Sequence, residues 1–188
     1  MNYLALDLEL NQPSGKIIEI GVVIGNRTDG VIAEMSWLID PVESIDESIV
    51  ELTGINDDLI VERGVSLGYA AAELSAMIVK HSCFVNPVQW GHGDAELLKS
   101  ELRLAGIDFP HFGRRTIDVK TICTFLSKAV GRKPNGGLKS HVERYGLVFL
   151  GQAHRACFDA RATLELFFEL LRRQQIMEER PCNTKPLR

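Results

Sequence analysis

In the stretch Asn2-Tyr3-Leu4-Ala5-Leu6-Asp7-Leu8-Glu9-Leu10, two carboxylates sit two residues apart in an otherwise apolar run. The run reads as a strand, and side chains on a strand alternate between faces. Leu4, Leu6, Leu8 and Leu10 then share one face, and Ala5, Asp7 and Glu9 share the other. Burying a charge without a partner is costly. Like charges this close raise each other's pKa unless a cation lies between them. A hard divalent cation, magnesium or manganese, is the usual partner for such oxygens. An edge strand with its acidic face in water would use the same residues, so the rest of the chain must decide.

Three other places could complete such a site. Asp94 ends Gln89-Trp90-Gly91-His92-Gly93-Asp94, a strand end followed by a helix start. His154 and Asp159 lie five residues apart in His154-Arg155-Ala156-Cys157-Phe158-Asp159. On one continuous helix they would diverge by about 140°. With His154 on the loop before the helix, both can reach one cleft. Asp118 also begins a helix, and capping explains it well. Asp94 and Asp159 equally suit the first turn of a helix, where the helix dipole favours an acid.

The elements that must position these groups follow from pattern and punctuation. The first strand is followed by turn residues 11–15, a β-branched strand over 16–24, a turn over 25–30 and a strand over 31–39, an antiparallel meander. Residues 45–63 read as short helical pieces around Gly54, and a helix capped by Ser66 runs to about Lys80. A fourth strand is expected over 83–90, with Pro87 marking an edge position or a bulge. A helix over 94–104, a short strand over 116–118 and a helix to Val130 follow. A basic, flexible loop over 132–137 and a short helix over 138–145 come next. The longest helix spans about 156–175, with Phe158, Ala162, Leu166 and Leu170 as its core stripe. Residues 178–188 read as a mobile tail, leaving 1–177 as one domain. Meander strands followed by strands alternating with helices give a mixed-sheet α/β domain with helices on both faces.

Composition sets the bounds. The 188 residues suit one domain, and no apolar run is long enough to cross a membrane. The first residues carry no secretory pattern, so a cytoplasmic location is expected. Cys83, Cys123, Cys157 and Cys182 are scattered, which fits reduced thiols better than a disulfide framework or a zinc site. Residues 1–100 hold 5 Lys and Arg against 16 Asp and Glu, a balance of −11, whereas residues 101–188 hold 16 against 9, a balance of +7. A basic half beside an acidic one suits a phosphate-binding face next to a metal site, although solvated helix faces of differing sign give the same count.

The ordered set Asp7-Leu8-Glu9, Asp94, then His154 with Asp159 resembles the motifs of the DEDDh 3′–5′ exonucleases, the superfamily of the DNA polymerase III proofreading subunit and ribonuclease T. KIIEIGVV, residues 16–23, resembles the family's second strand, and IDESIVELTGIN, residues 45–56, the segment before its first long helix. Trp90-Gly91-His92-Gly93-Asp94 resembles the second motif of the subgroup that includes histone-mRNA exonucleases. Gly137-Leu138-Lys139, His154-Arg155 and Asp159-Ala160-Arg161 resemble its C-terminal third. The likeness covers roughly residues 2–170. Two positions depart from it: Leu10 stands where the family usually has Thr or Ser, and His92 where the subgroup often has Asn.

The resemblance implies a ribonuclease H-like five-stranded sheet and a two-metal hydrolysis of single-stranded RNA or DNA from the 3′ end, RNA slightly favoured, yielding nucleoside 5′-monophosphates. It implies Asp7, Glu9, Asp94 and Asp159 as ligands of two magnesium or manganese ions. Asp7 would bridge them, Asp94 would act through water, and His154 would be the general base. Leu8, Leu10 and Arg155 would contact substrate, with Leu10 departing from the family pattern at a contact near the terminal nucleotide. Arg155, Arg161, Lys139 and Arg132 are candidates for phosphate attraction, each equally explicable as a solvated cation. A non-catalytic nucleic-acid-binding or regulatory protein on the same fold is the alternative. The sequence leaves a homodimer open.

Overall fold

The computed structural model describes residues 1–133 and 136–179. Three long strands open the chain: β1 (Tyr3–Leu10), β2 (Ile17–Asn26) and β3 (Gly30–Leu38). They pair antiparallel in sequence, as short turns between β-branched runs require. Two short helices, α1 (Glu47–Thr53) and α2 (Asp57–Arg63), and the longer α3 (Leu67–His81) come next. Asp46, Asn56 and Ser66 cap them, each side chain accepting a backbone N–H of the first turn. The chain then alternates β4 (Val88–Gln89), α4 (Asp94–Leu104), β5 (Ile117–Asp118), α5 (Val119–Ala129), α6 (Leu138–Arg144) and α7 (Ala156–Glu179). The sheet order is β3-β2-β1-β4-β5, with β4 parallel to both β1 and β5.

Alternation along β1 divides the core. Leu4, Leu6 and Leu8 pack with Ile20, Val22 and Ile24 of β2 against α3 and α4. Ala5 and Val23 face the other way, against α5, α6 and α7. Helices therefore cover both faces, and Asp7 and Glu9 lie on the α7 side.

Four expectations change. β4 is two residues rather than eight, and it is an interior strand, not an edge. Pro87 precedes it, so its missing N–H breaks no ladder, while its carbonyl accepts the Ile117 N–H at 2.8 Å. Phe158 is 39% exposed rather than part of the core stripe. Ala156, Ala160 and Thr163 make the buried contacts in that part of α7, because the helix start lies too close to the sheet for large side chains. α7 also runs to Glu179, two residues into the expected tail, and 180–188 lie outside the described residues. In the expected basic loop, 134 and 135 do as well.

Candidate active site

Asp7 and Glu9 project from β1, and Asp159 from the first turn of α7. One oxygen of each lies within 4.8 Å of the others. His154 sits on the loop before α7, as the spacing requires if it is to share a cleft with Asp159. Its φ of 61° is in the left-handed region, and its backbone N–H donates to Asp159 Oδ2 at 3.0 Å. The turn thus ties base candidate and acid together, leaving the imidazole exposed. All four line one cavity of about 430 Å³, walled by Trp90, Phe149 and the start of α6 from Gly137 to Ser140. Leu8 lines it too, while Leu10 packs against the α3–α4 core.

Asp94 begins α4 after Gly93, whose φ of 117° suits only glycine. The turn before it is clamped from two strands. Gln89, fully buried on β4, donates to the Gly91 carbonyl at 3.2 Å and accepts the Ala95 N–H at 3.3 Å. Asp118 on β5 accepts the Gly91 N–H at 3.1 Å and also caps α5 through the Thr121 N–H at 3.0 Å, the capping role its sequence context suggests. Asp94 stands outside the close trio, yet its charge is felt at Asp7.

The acids crowd one another electrostatically. Burial, then the charges of Asp94, Asp159, Glu9 and Glu19, push the Asp7 carboxyl well above the usual range. Burial, followed by Asp159 and Glu19, pushes Glu9 up to about 8 against the opposing pull of Arg155. Burial and Glu96 raise Asp94 to about 6, and burial raises Asp159 despite the His154 N–H. Among the described residues, Asp7 and Glu9 accept no side-chain hydrogen bond. Their lone pairs, with those of Asp159, form a hard oxygen set that fits a divalent ion.

Glu19 makes the contrast. It pairs across the ladder with Glu9 and is 1% exposed. Its oxygens are filled: Arg155 donates to both at 3.0 Å, the Ala156 N–H to one at 3.0 Å, and the Ser36 hydroxyl to the other. This carboxylate is a clamp on the N-terminus of α7, where the helix dipole favours it. Arg155, expected at the substrate, spends its guanidinium on that clamp, and Arg161 pairs with Glu34 and Glu165. Lys139 lines the cleft. Beside Glu19, Gly21 pairs with Asp7, and a Cβ there would fall 2.1 Å from the Ala156 carbonyl carbon. Only glycine lets the α7 backbone rest on β2 and bring Asp159 to Asp7. Sequence reasoning passed over Glu19, Gly21, Gln89 and Phe149. A lone Glu inside the β-branched run KIIEIGVVI was the available signal, because a charge there must have a partner.

Among curated relatives, the chain is 25% identical over 184 residues to the PolC-type DNA polymerase III of Staphylococcus saprophyticus and 27% identical over 188 residues to that of Staphylococcus aureus. It aligns over 93% and 94% of its own length but spans only 12% of theirs. The fold is similar to that of cell-death related nuclease 4, with a TM-score of 0.79 at 18% identity, over 92% of this chain and 64% of that one. It is also similar to the nuclease domain of 3′hExo, described as a DEDDh family member bound to rAMP. The TM-score there is 0.73 at 15% identity, over 92% of both chains. These likenesses establish a ribonuclease H-like architecture. A family model described as exonuclease matches residues 4–167, from the strand that carries Asp7 and Glu9 into the helix that carries Asp159, and on that match the chain belongs to the exonuclease family.

Proposed function

We propose that this chain is a metal-dependent 3′–5′ exonuclease of the DEDDh type. It removes nucleoside 5′-monophosphates one at a time from single-stranded nucleic acid, RNA in preference to DNA. The carrying observation is the convergence of Asp7, Glu9 and Asp159, ligand atoms within 4.8 Å, beside an exposed His154 in one cleft.

Asp7, Glu9 and Asp159 would hold divalent ions directly, two in the full site, with Asp94 assisting through water. Bound there, magnesium or manganese supplies positive charge to the phosphoryl oxygens and acidifies water. The residues do the rest. His154, at the mouth of the cleft, accepts the proton of the attacking water. Water adds to phosphorus, the bond to the 3′ oxygen of the preceding nucleotide breaks with that oxygen taking a proton from solvent, and the terminal nucleotide leaves with the phosphate. The Glu19–Arg155 clamp keeps Asp159 and His154 registered against β1.

The preference for RNA draws on neighbours of this fold whose structures contain rAMP or are described as recognising a histone mRNA stem-loop at its 3′ end. DNA is the second reading, favoured by the sequence likeness to PolC-type DNA polymerase III. A single assay tests both. 5′-labelled RNA and DNA strands, incubated with magnesium or EDTA, should give a ladder shortening from the 3′ end only with the metal, faster on RNA. Full activity in EDTA would sink the metal mechanism. Cleavage of a circular strand would make the enzyme an endonuclease.

A further inference from the structure

Three carboxylates line the acidic cleft, and among the described residues that line it Lys139 is the one lysine or arginine. The arginines at the start of α7 are committed elsewhere, Arg155 to Glu19 and Arg161 to Glu34 and Glu165. The Lys139 ammonium makes no ion pair or hydrogen bond with any described residue, so it stands more than 4 Å from the carboxylate oxygens of Asp7, Glu9 and Asp159 while sharing their cavity.

The backbone that carries this side chain is held firmly. Leu138 and Val142 are buried in the core beneath α6. His141 is 2% exposed, and its ring centroid lies 5.0 Å from that of Trp90, the residue after β4. Its Nδ1 lies 3.0 Å from the Gly137 carbonyl and donates to it, since a carbonyl only accepts. The first turn of α6 is thus tied to the end of β4, with Leu138 and His141 turned inward and Lys139 and Ser140 exposed. An ammonium on a flexible four-carbon stem, rooted on a fixed turn, suits a point charge that must follow a phosphate.

We propose that Lys139 binds the phosphodiester immediately upstream of the scissile one and so positions the strand. The assignment rests on the exonuclease reading for its ligand. Two divalent ions would match the charge of Asp7, Glu9, Asp94 and Asp159 and act on the scissile diester. The diester before it carries a further negative charge, and Lys139 is the cation that the lining of the cleft leaves for it. Of the four cations that the sequence offers for phosphate attraction, the structure brings this one to the cleft without a partner.

The test measures binding of labelled strands to the full chain with magnesium over a range of salt, the terminal linkage being a phosphorothioate that resists hydrolysis. Lys139→Gln should raise Kd several-fold, as loss of an exposed ion pair does, and flatten the slope of log K against log salt by about 0.7. A neutral methylphosphonate in place of the next upstream diester alone should weaken the wild type by the same factor and leave Lys139→Gln unaffected. One linkage further upstream, the same replacement should change both proteins equally. Lys139→Arg should restore most of the affinity. With ordinary strands, the loss in Lys139→Gln should fall on KM rather than on kcat. An unchanged Kd in Lys139→Gln would make the ammonium a solvated cation and overturn the assignment. So would a methylphosphonate that leaves the wild type unaffected, a measurement that needs no variant, or one that weakens both proteins equally. A loss confined to kcat would also overturn it, by placing Lys139 on the scissile phosphate. A chain that binds strands through Lys139 without shortening ordinary ones refutes the exonuclease reading alone. One that shortens them with no coupling between Lys139 and the upstream diester refutes this assignment alone.

Discussion

The guanidinium of Arg155 donates to both oxygens of Glu19, at 3.0 Å each, and this pair fixes where α7 begins. Glu19→Gln keeps the shape but loses the charge and one acceptor. It should cost about 1–3 kcal/mol of stability, since charged hydrogen bonds are lost and the arginine is left half-buried. Turnover should fall as well, because Asp159 and His154 ride on the same helix start. The double variant Glu19→Gln/Arg155→Met should regain stability more than activity. Urea melts read the first quantity and initial rates the second. Wild-type turnover in Glu19→Gln would show that the clamp has no bearing on the site.

Gly21→Ala places a methyl group into the Ala156 backbone. The helix start must lift from β2, at a cost of about 1–3 kcal/mol for overpacking. Because Asp159 moves with it, the rise in melting temperature on adding magnesium should shrink more than stability alone explains. A variant that folds with an unchanged magnesium shift would place the close approach outside the site.

Without metal, the protein should lose stability as pH rises. Asp7, Glu9, Asp94 and Asp159 all have raised carboxyl pKa values when folded, so the folded state binds more protons than the unfolded one. For Glu9 the extra stability is complete below its ordinary value of 4.5 and is lost as pH climbs to about 8. For Asp94 the loss is complete by about 6. Melting in EDTA from pH 4.5 to 8 should therefore show a steady decline that magnesium flattens. Asp7→Asn, which removes a central charge, should melt higher than wild type in EDTA and gain little from magnesium. A flat pH profile in EDTA would contradict the crowding of these acids.

His154→Ala should separate chemistry from metal binding. Loss of a general base costs about 10²–10⁴-fold in rate. The magnesium-induced melting shift should stay near wild type, since the main-chain bond to Asp159 survives the substitution. Asp159→Ala should abolish both. Equal loss of the shift in the two variants would make His154 a ligand, and full turnover would leave it an exposed loop residue.

Much of this arrangement is legible in local pattern. Strict alternation in β1 places Asp7 and Glu9 together on the face covered by α7. The five-residue spacing of His154 and Asp159 lets both reach one cleft if a helix starts between them, and α7 starts at Ala156. What escapes is non-local. Glu19 reads as one acid in a hydrophobic strand, and nothing near it in sequence reveals that its partner is 136 residues away. Arg155 reads as a substrate cation for the same reason. Phe158 fits a helical stripe by spacing, but the stripe takes no account of how closely Gly21 lets the backbones approach. β4 looks long because apolar residues recur through 83–90, although only Val88 pairs with both neighbours and Gln89 pairs with β5 alone.

That short β4 has a mechanical consequence. Strands of eight, ten and nine residues make one half of the sheet stiff, while two-residue strands make the other half soft. Asp7 and Glu9 ride on the stiff half, with Asp159 clamped to it through Glu19. Asp94 hangs from the soft half, on a turn steadied by Gln89 and Asp118. Opening in such a sheet concentrates where ladder bonds are few, so amide exchange should be quicker at Val88 and Gln89 than at Leu6 or Val22. Three acids are therefore held together by the part of the sheet with the most ladder bonds, and Asp94 is borne by the part with the fewest.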